Sequence, residues 1–252
     1  RGWLAPFSEG LFGSFSICNY NAVRPMVLTS IPLAFGSVLS NAEWAILTFF
    51  ASYLGPAEVA AWAILGSIWD MFEALTHGIG DAAEIRVSYH LGNNHPSLAK
   101  LSAYKSLYIG MIGAVIVSGC FFYLMRFIPE WFTPDETLQG MIAVTLPYVA
   151  IGNLVLTFGY LCWFMIGAQG RYKLGTWVTF VASWGVTLPL GYVFTHVLTY
   201  DLQGLTAAVV LGYVGVSVSL SYLLLTSDWP TRALKIYRRN CEEDDDDDEE
   251  DE

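Results

Sequence analysis

Five ionisable side chains share one stripe of an otherwise apolar segment, residues 59–90: Asp70, Glu73, His77, Asp81 and Glu84. At the turn of an α-helix they fall within an arc of roughly 80°. The opposite side carries Ala63, Ile68, Met71, Leu75 and Ile79, which suit lipid or packed helices. Ionised groups are costly to bury in hydrocarbon without partners or water, so the stripe must face a bundle interior or a water-filled cavity. Another acid, Glu43, interrupts the apolar run before it. Carboxylates gathered in one desolvated place compete for a proton or a cation, and the chemistry that suits them is proton exchange. The structural alternative is local pairing of these acids with Ser, Tyr or Trp donors that hold a bundle together.

The elements that must position these groups are membrane spans. Of 252 residues, 54% are hydrophobic and 15% aromatic, in long apolar runs, which excludes a soluble domain. The net charge of −11 belongs to the ending, where residues 242–252 are eleven consecutive acids. The remainder balances twelve acids against twelve bases. Spans are expected over 25–54, from Pro56 to a stop at Leu91–Pro96, and over 100–128, 140–168, 174–198 and from about 205 to 227. Pro32, Pro147 and Pro189 are the expected kink points. The fold class is therefore all-α integral membrane, a six-helix bundle over 25–227. Residues 1–24 read as a cytoplasmic linker or surface-lying segment. After Trp229-Pro230 comes a basic stretch, Arg232 to Arg239, expected against anionic headgroups, and then an acidic tail expected to be disordered. Together these make 228–252 a cytoplasmic tail.

Eleven of the twelve Lys and Arg residues fall in loops or ends on one side of this topology, and only Arg126 falls on the other. Short cytoplasmic loops retain basic residues, so both ends of the chain are expected in the cytoplasm. Measured from the outer helix ends, Glu43 lies roughly 17 Å deep and Asp70 roughly 20 Å. Both belong to the middle of a hydrocarbon core about 30 Å thick. Glu73 follows one turn on and His77 nears the inner boundary, while Asp81, Glu84 and Arg86 are expected at headgroups or water. Glu43, Asp70, Glu73 and His77 are accordingly the candidate ion and substrate site.

Six tryptophans, Trp44, Trp62, Trp69, Trp163, Trp177 and Trp184, are placed to stack on an organic cation or to serve as packing and interface anchors. Gly78 and Gly80 offer either a hinge or close packing against a neighbouring helix. Cys18, Cys120, Cys162 and Cys241 have no metal-ligand or redox spacing, so neither a metal site nor a cofactor is expected. The chain shows no cleavable signal peptide, and its start at Arg1 without an initiator Met leads us to expect that it continues upstream or was cut there.

Several stretches carry a family resemblance. Ala82-Ala83-Glu84-Ile85-Arg86-Val87-Ser88-Tyr89-His90-Leu91-Gly92, followed by Ala99-Lys100, resembles the end of the eighth helix in the multidrug and toxic compound extrusion (MATE) family. Leu54-Gly55 with Ala60-Ala61 resembles the turn before that helix, and Ala168-Gln169-Gly170-Arg171 the loop after the tenth. Pro189-Leu190-Gly191 and Leu202-Gln203-Gly204-Leu205 resemble the last two helices. The resemblance implies the C-terminal lobe of a twelve-helix, two-lobe antiporter that exports organic cations, drugs or metabolites in exchange for H⁺ or Na⁺. It also implies a first six-helix lobe, either upstream or as a second subunit. By placement, Glu43-Trp44 is similar to the acidic position of the seventh helix. Eukaryotic members often carry another acid in the tenth helix, whereas residues 140–168 here have no Asp, Glu, Lys, Arg or His. By depth, Asp70 and Glu73 are the groups that substitute for it.

The expected partners are therefore a small organic cation or metabolite, the bilayer and the first lobe, with no nucleic acid and no enzymatic chemistry. Plasma and vacuolar membranes are equally compatible. The alternatives are a flippase of the same superfamily for a lipid-linked precursor, which calls for a cationic groove, and a non-transporting membrane scaffold or regulatory fragment.

Overall fold

The computed structural model describes residues 20–198 and 201–250, and among these no strand occurs. The expected linker 1–24 lies outside the described residues as far as residue 19. From Tyr20 the chain is already helix.

The first helix, α1, is Tyr20–Leu54, and α2 is Pro56–Gly92. Gly55 joins them at φ 152°, a backbone setting that side chains rarely adopt, and Pro56 starts α2 with its preset φ. Asn94, at φ 52°, turns the chain into α3, Pro96–Leu124. A short α4, Ile128–Phe132, lies where the sequence predicts only a polar turn. It leads to α5, Glu136–Ala168, whose first turn is capped by Asp135 accepting from the Thr137 N–H at 2.8 Å. The fifth span is composite. It runs as α6, Tyr172–Ala182, a π-helical turn Ser183–Thr187, α7, Leu188–Tyr192, and a second π turn Val193–Val197. Pro189 has no N–H to return to the carbonyl one turn back, which breaks the regular ladder between the two π turns. The last span is α8, Leu202–Leu225.

Among the described residues, six helices are thus long and apolar enough to cross a membrane, the composite fifth span counted as one. With 37 residues, α2 is about 55 Å long and must project beyond a hydrocarbon core of about 30 Å. The bundle is built around α5, two-thirds of whose most apolar window is buried. Leu146, Leu156, Leu161 and Met165 of α5 are sealed among α2, α3 and α8. Small residues set the approach. A Cβ at Gly159 would stand 2.5 Å from the Ser217 hydroxyl, and one at Gly80 would overlap the Phe164 ring. Because α2 runs unbroken through Gly78 and Gly80, close packing is the role that Gly80 plays. By contrast α1 is peripheral, with Met26, Phe35 and Val38 exposed.

A chain of polar groups crosses this core. Thr76 of α2 meets Thr157 of α5 at 3.1 Å, Thr157 bonds the Asn153 carbonyl at 3.4 Å, and the Asn153 amide donates to Ser118 of α3 at 2.9 Å. Ser118 ends the chain by donating to the Ala150 carbonyl at 3.0 Å. All four side chains are buried. Asn153→Leu removes two buried hydrogen bonds, leaving Thr157 with Thr76 and Ser118 with the Ala150 carbonyl, and is expected to cost about 1–3 kcal/mol. The measurement is the thermal midpoint of the detergent-solubilised chain; an unchanged midpoint would show that the polar chain adds nothing to stability.

Beyond α8 the chain turns once more into α9, Trp229–Glu250. Its backbone is helical to Glu250, where the run of acids predicts a disordered tail.

Candidate functional site

Glu43 is placed by what its neighbour does. Trp44 stacks on Trp62 of α2, with ring centroids 4.9 Å apart and planes 21° from parallel. The Trp62 N–H donates to Thr48 Oγ1 at 3.2 Å, and Gly66 leaves room for the Trp44 ring. This clamp fastens α1 to α2 beside the buried Leu47 and Ala51, with Glu43 facing the fifth span. There Ser183, the first residue of the π turn, donates its hydroxyl to Glu43. Thr187, the last residue of that turn, holds its hydroxyl near the same carboxylate. A π turn is often found where a helix is bent to functional use, and here it brings two hydroxyls to one carboxylate.

Glu73 projects from α2 into the same cavity that Tyr160 of α5 lines. Asp70 lies one turn before it and is exposed, while Glu73 is half-buried. His77, one turn beyond, meets Phe164 edge-on at 5.3 Å and Tyr160 at 5.1 Å.

All four predicted site residues, Glu43, Asp70, Glu73 and His77, line one cavity of about 460 Å³. Four of the six singled-out tryptophans, Trp44, Trp69, Trp163 and Trp184, line it too. Trp62 is core and Trp177 lies outside this cavity, on an exposed face. The chamber therefore combines three carboxyl groups with aromatic walls, a pairing that attracts an organic cation by charge and by ring faces. The indole N–H groups of Trp69 and Trp184 and the Thr179 hydroxyl are buried without partners among the described residues, although all three side chains line the cavity. Unpaired buried donors each cost about 1–3 kcal/mol. They mark this region as the least internally satisfied part of the bundle.

The stripe on α2 divides here. Asp81 and Glu84 do not line the cavity. Asp81 is exposed, as expected of an interface residue, but Glu84 is half-buried and accepts from the Tyr172 hydroxyl of α6. Ser183, Thr187, Tyr160 and Tyr213 complete the polar lining or its hydrogen bonds, and sequence reasoning singles out none of them. Among the described residues no group of His, Cys, Asp and Glu is arranged to hold a metal ion.

A bundle of six spans around an acid-lined chamber is the architecture of a membrane carrier unit. The MatE family model matches residues 32–193, well over half of the chain, and the chain belongs to that family. It is 26% identical over 221 residues to Uncharacterized transporter C4B3.13 of Schizosaccharomyces pombe, covering 86% of this chain and 39% of that protein. It is 24% identical over 216 residues to Protein DETOXIFICATION 9 of Arabidopsis thaliana, covering 85% and 45%. The chain thus spans less than half the length of these relatives. In fold it is similar to the eukaryotic MATE transporter AtDTX14, with a TM-score of 0.81 at 18% identity over 94% of this chain and 54% of that one. A MOP superfamily transporter from Pyrococcus furiosus matches with a TM-score of 0.73 at 18% identity, over 78% and 43%. These matches show the fold: one six-helix lobe of a two-lobe architecture, in a family of transporters and not of enzymes.

Proposed function

We propose that this chain is the C-terminal lobe of a secondary antiporter that exports organic cations, drugs or metabolites in exchange for H⁺. The observation that carries the reading is the meeting of Glu43, Asp70, Glu73 and His77 in one aromatic-walled cavity. Either a proton or a cationic substrate neutralises the carboxylates, and competition between the two couples the downhill flow of one to the uphill flow of the other. A first lobe closes the other side of the cleft, both ends of the chain lie in the cytoplasm, and residues 228–252 form a cytoplasmic tail. A lipid-linked pyrophosphate calls for cationic walls, and an acid-lined chamber argues against it.

The test uses everted membrane vesicles containing the full protein with its first lobe. An acid-inside gradient is expected to drive uptake of ethidium, collapse of the gradient to stop it, and a sodium gradient alone to have little effect. Uptake driven by sodium alone would replace the coupling ion in this reading. Uptake indifferent to both gradients would sink the antiport reading.

A further inference from the structure

The basic stretch of the tail is not used by the cavity, and the structure gives it a place. Trp229 and Ala233 of α9 are buried against the bundle, and Ile236 packs behind them. Their partners include Val87 and Leu91 of α2 and Ala99 of α3, the residues around the turn between those spans. The Asn240 amide lies 3.4 Å from where a Cβ on Gly92 would stand. At the other end Ser227 donates to Gln169, which follows the last residue of α5. Trp229, Ala233, Ile236 and Asn240 fall within roughly 60° of one another on a helix. α9 is therefore laid across one end of the bundle, from the end of α8 to the α2–α3 turn, with one narrow face docked.

The face away from the bundle is of a different kind. Leu234 and Tyr237 are 41% and 42% exposed, and Lys235 and Arg238 are exposed beside them. A helix held at the level where spans leave the bilayer, with apolar and aromatic groups flanked by cations, has the composition of an interfacial element. Arg86, Lys100, Arg171 and Lys173 belong to the loops and helix ends on the same side in our topology and add basic charge there, beside the acids Asp81 and Asp228.

We propose that the outward face of α9, built from Leu234, Lys235, Tyr237 and Arg238, is a contact site for anionic lipid headgroups of the adjoining leaflet. Charge complementarity selects the occupant: Lys235 and Arg238 meet phosphate and carboxylate groups, while Leu234 and Tyr237 enter the acyl boundary. The contact stops at residue 241, because the eleven acids that follow are repelled by the same leaflet.

The test reconstitutes the full chain with a fluorescent amino acid encoded at Leu234 into vesicles of phosphatidylcholine alone or mixed with phosphatidylserine. Energy transfer to headgroup-labelled lipids reads the local lipid composition. Phosphatidylserine is expected to be enriched several-fold over phosphatidylcholine around position 234, and Lys235→Gln with Arg238→Gln is expected to remove that enrichment. The same probe at position 246 is expected to show depletion. Since the substitutions are on an exposed face, the thermal midpoint of the double variant should equal that of the parent. Equal transfer from both lipids at position 234, or enrichment that survives the double substitution in a folded chain, would overturn the proposal.

Discussion

Glu43→Gln is expected to lower gradient-driven ethidium uptake on the order of 100-fold, equivalent to about 2.7 kcal/mol of lost coupling. Gln matches Glu in size and its carbonyl still accepts from Ser183, so the clamp formed by Trp44 and Trp62 is undisturbed. What is lost is the ability to carry a charge in one state and a proton in the other. Losses of this order are typical when the carboxylate that a bound cation would pair with is neutralised. Glu73→Gln should act in the same direction, because Glu73 lines the same cavity. Asp70→Asn should act less, since Asp70 is exposed and better hydrated. The assay is initial uptake rate at matched expression; a Glu43→Gln protein with parental coupled uptake would remove Glu43 from the site.

Trp62→Ala is expected to have the largest effect on stability, about 3–5 kcal/mol, through lost packing around a fully buried indole. Trp62 is 1% exposed, stacks with Trp44 and donates to Thr48. The stack joins α1 to α2 beside Glu43, at the level where Leu47 and Ala51 of α1 are also buried in the core. The same change should therefore release Glu43 from Ser183 and reduce uptake, although Trp62 does not line the cavity. Trp62→Phe keeps the ring and loses the N–H, so it should recover most of the stability. The check is the midpoint of thermal or denaturant unfolding in detergent, read together with uptake.

Much of this was legible in the sequence because a membrane makes acids conspicuous. Asp70, Glu73 and His77 stand at three- and four-residue intervals in an apolar helix, and only one side of that helix can hold them. Depth alone matched Glu43 with Asp70, and both line one cavity. The hydroxyl partners were not legible. Ser183 sits in an apolar span like many serines that bond their own backbone, and only the π turn aims it at Glu43. Pro189 and Gly191 signalled an irregular fifth span, but whether it kinks, breaks or adopts π turns depends on its packing against α1 and α8. Glu84 shows the limit of a depth argument. Distance from the bilayer centre predicts solvent there, yet Tyr172 arrives from the start of the fifth span and covers it. The position of α9 was equally hidden, since Trp229, Ala233, Ile236 and Asn240 disclose a packed face only once the α2–α3 turn is in place.

In the proposed function the carboxylates of this cavity hold either a proton or an organic cation. Calorimetric titration of ethidium into the detergent-solubilised full protein, repeated in buffers of different ionisation enthalpy, measures that exchange. The observed enthalpy is expected to vary with the buffer because cation binding expels a proton, and Glu43→Gln combined with Glu73→Gln is expected to abolish that variation. Ethidium binding with no proton release, unchanged in the double variant, would contradict it.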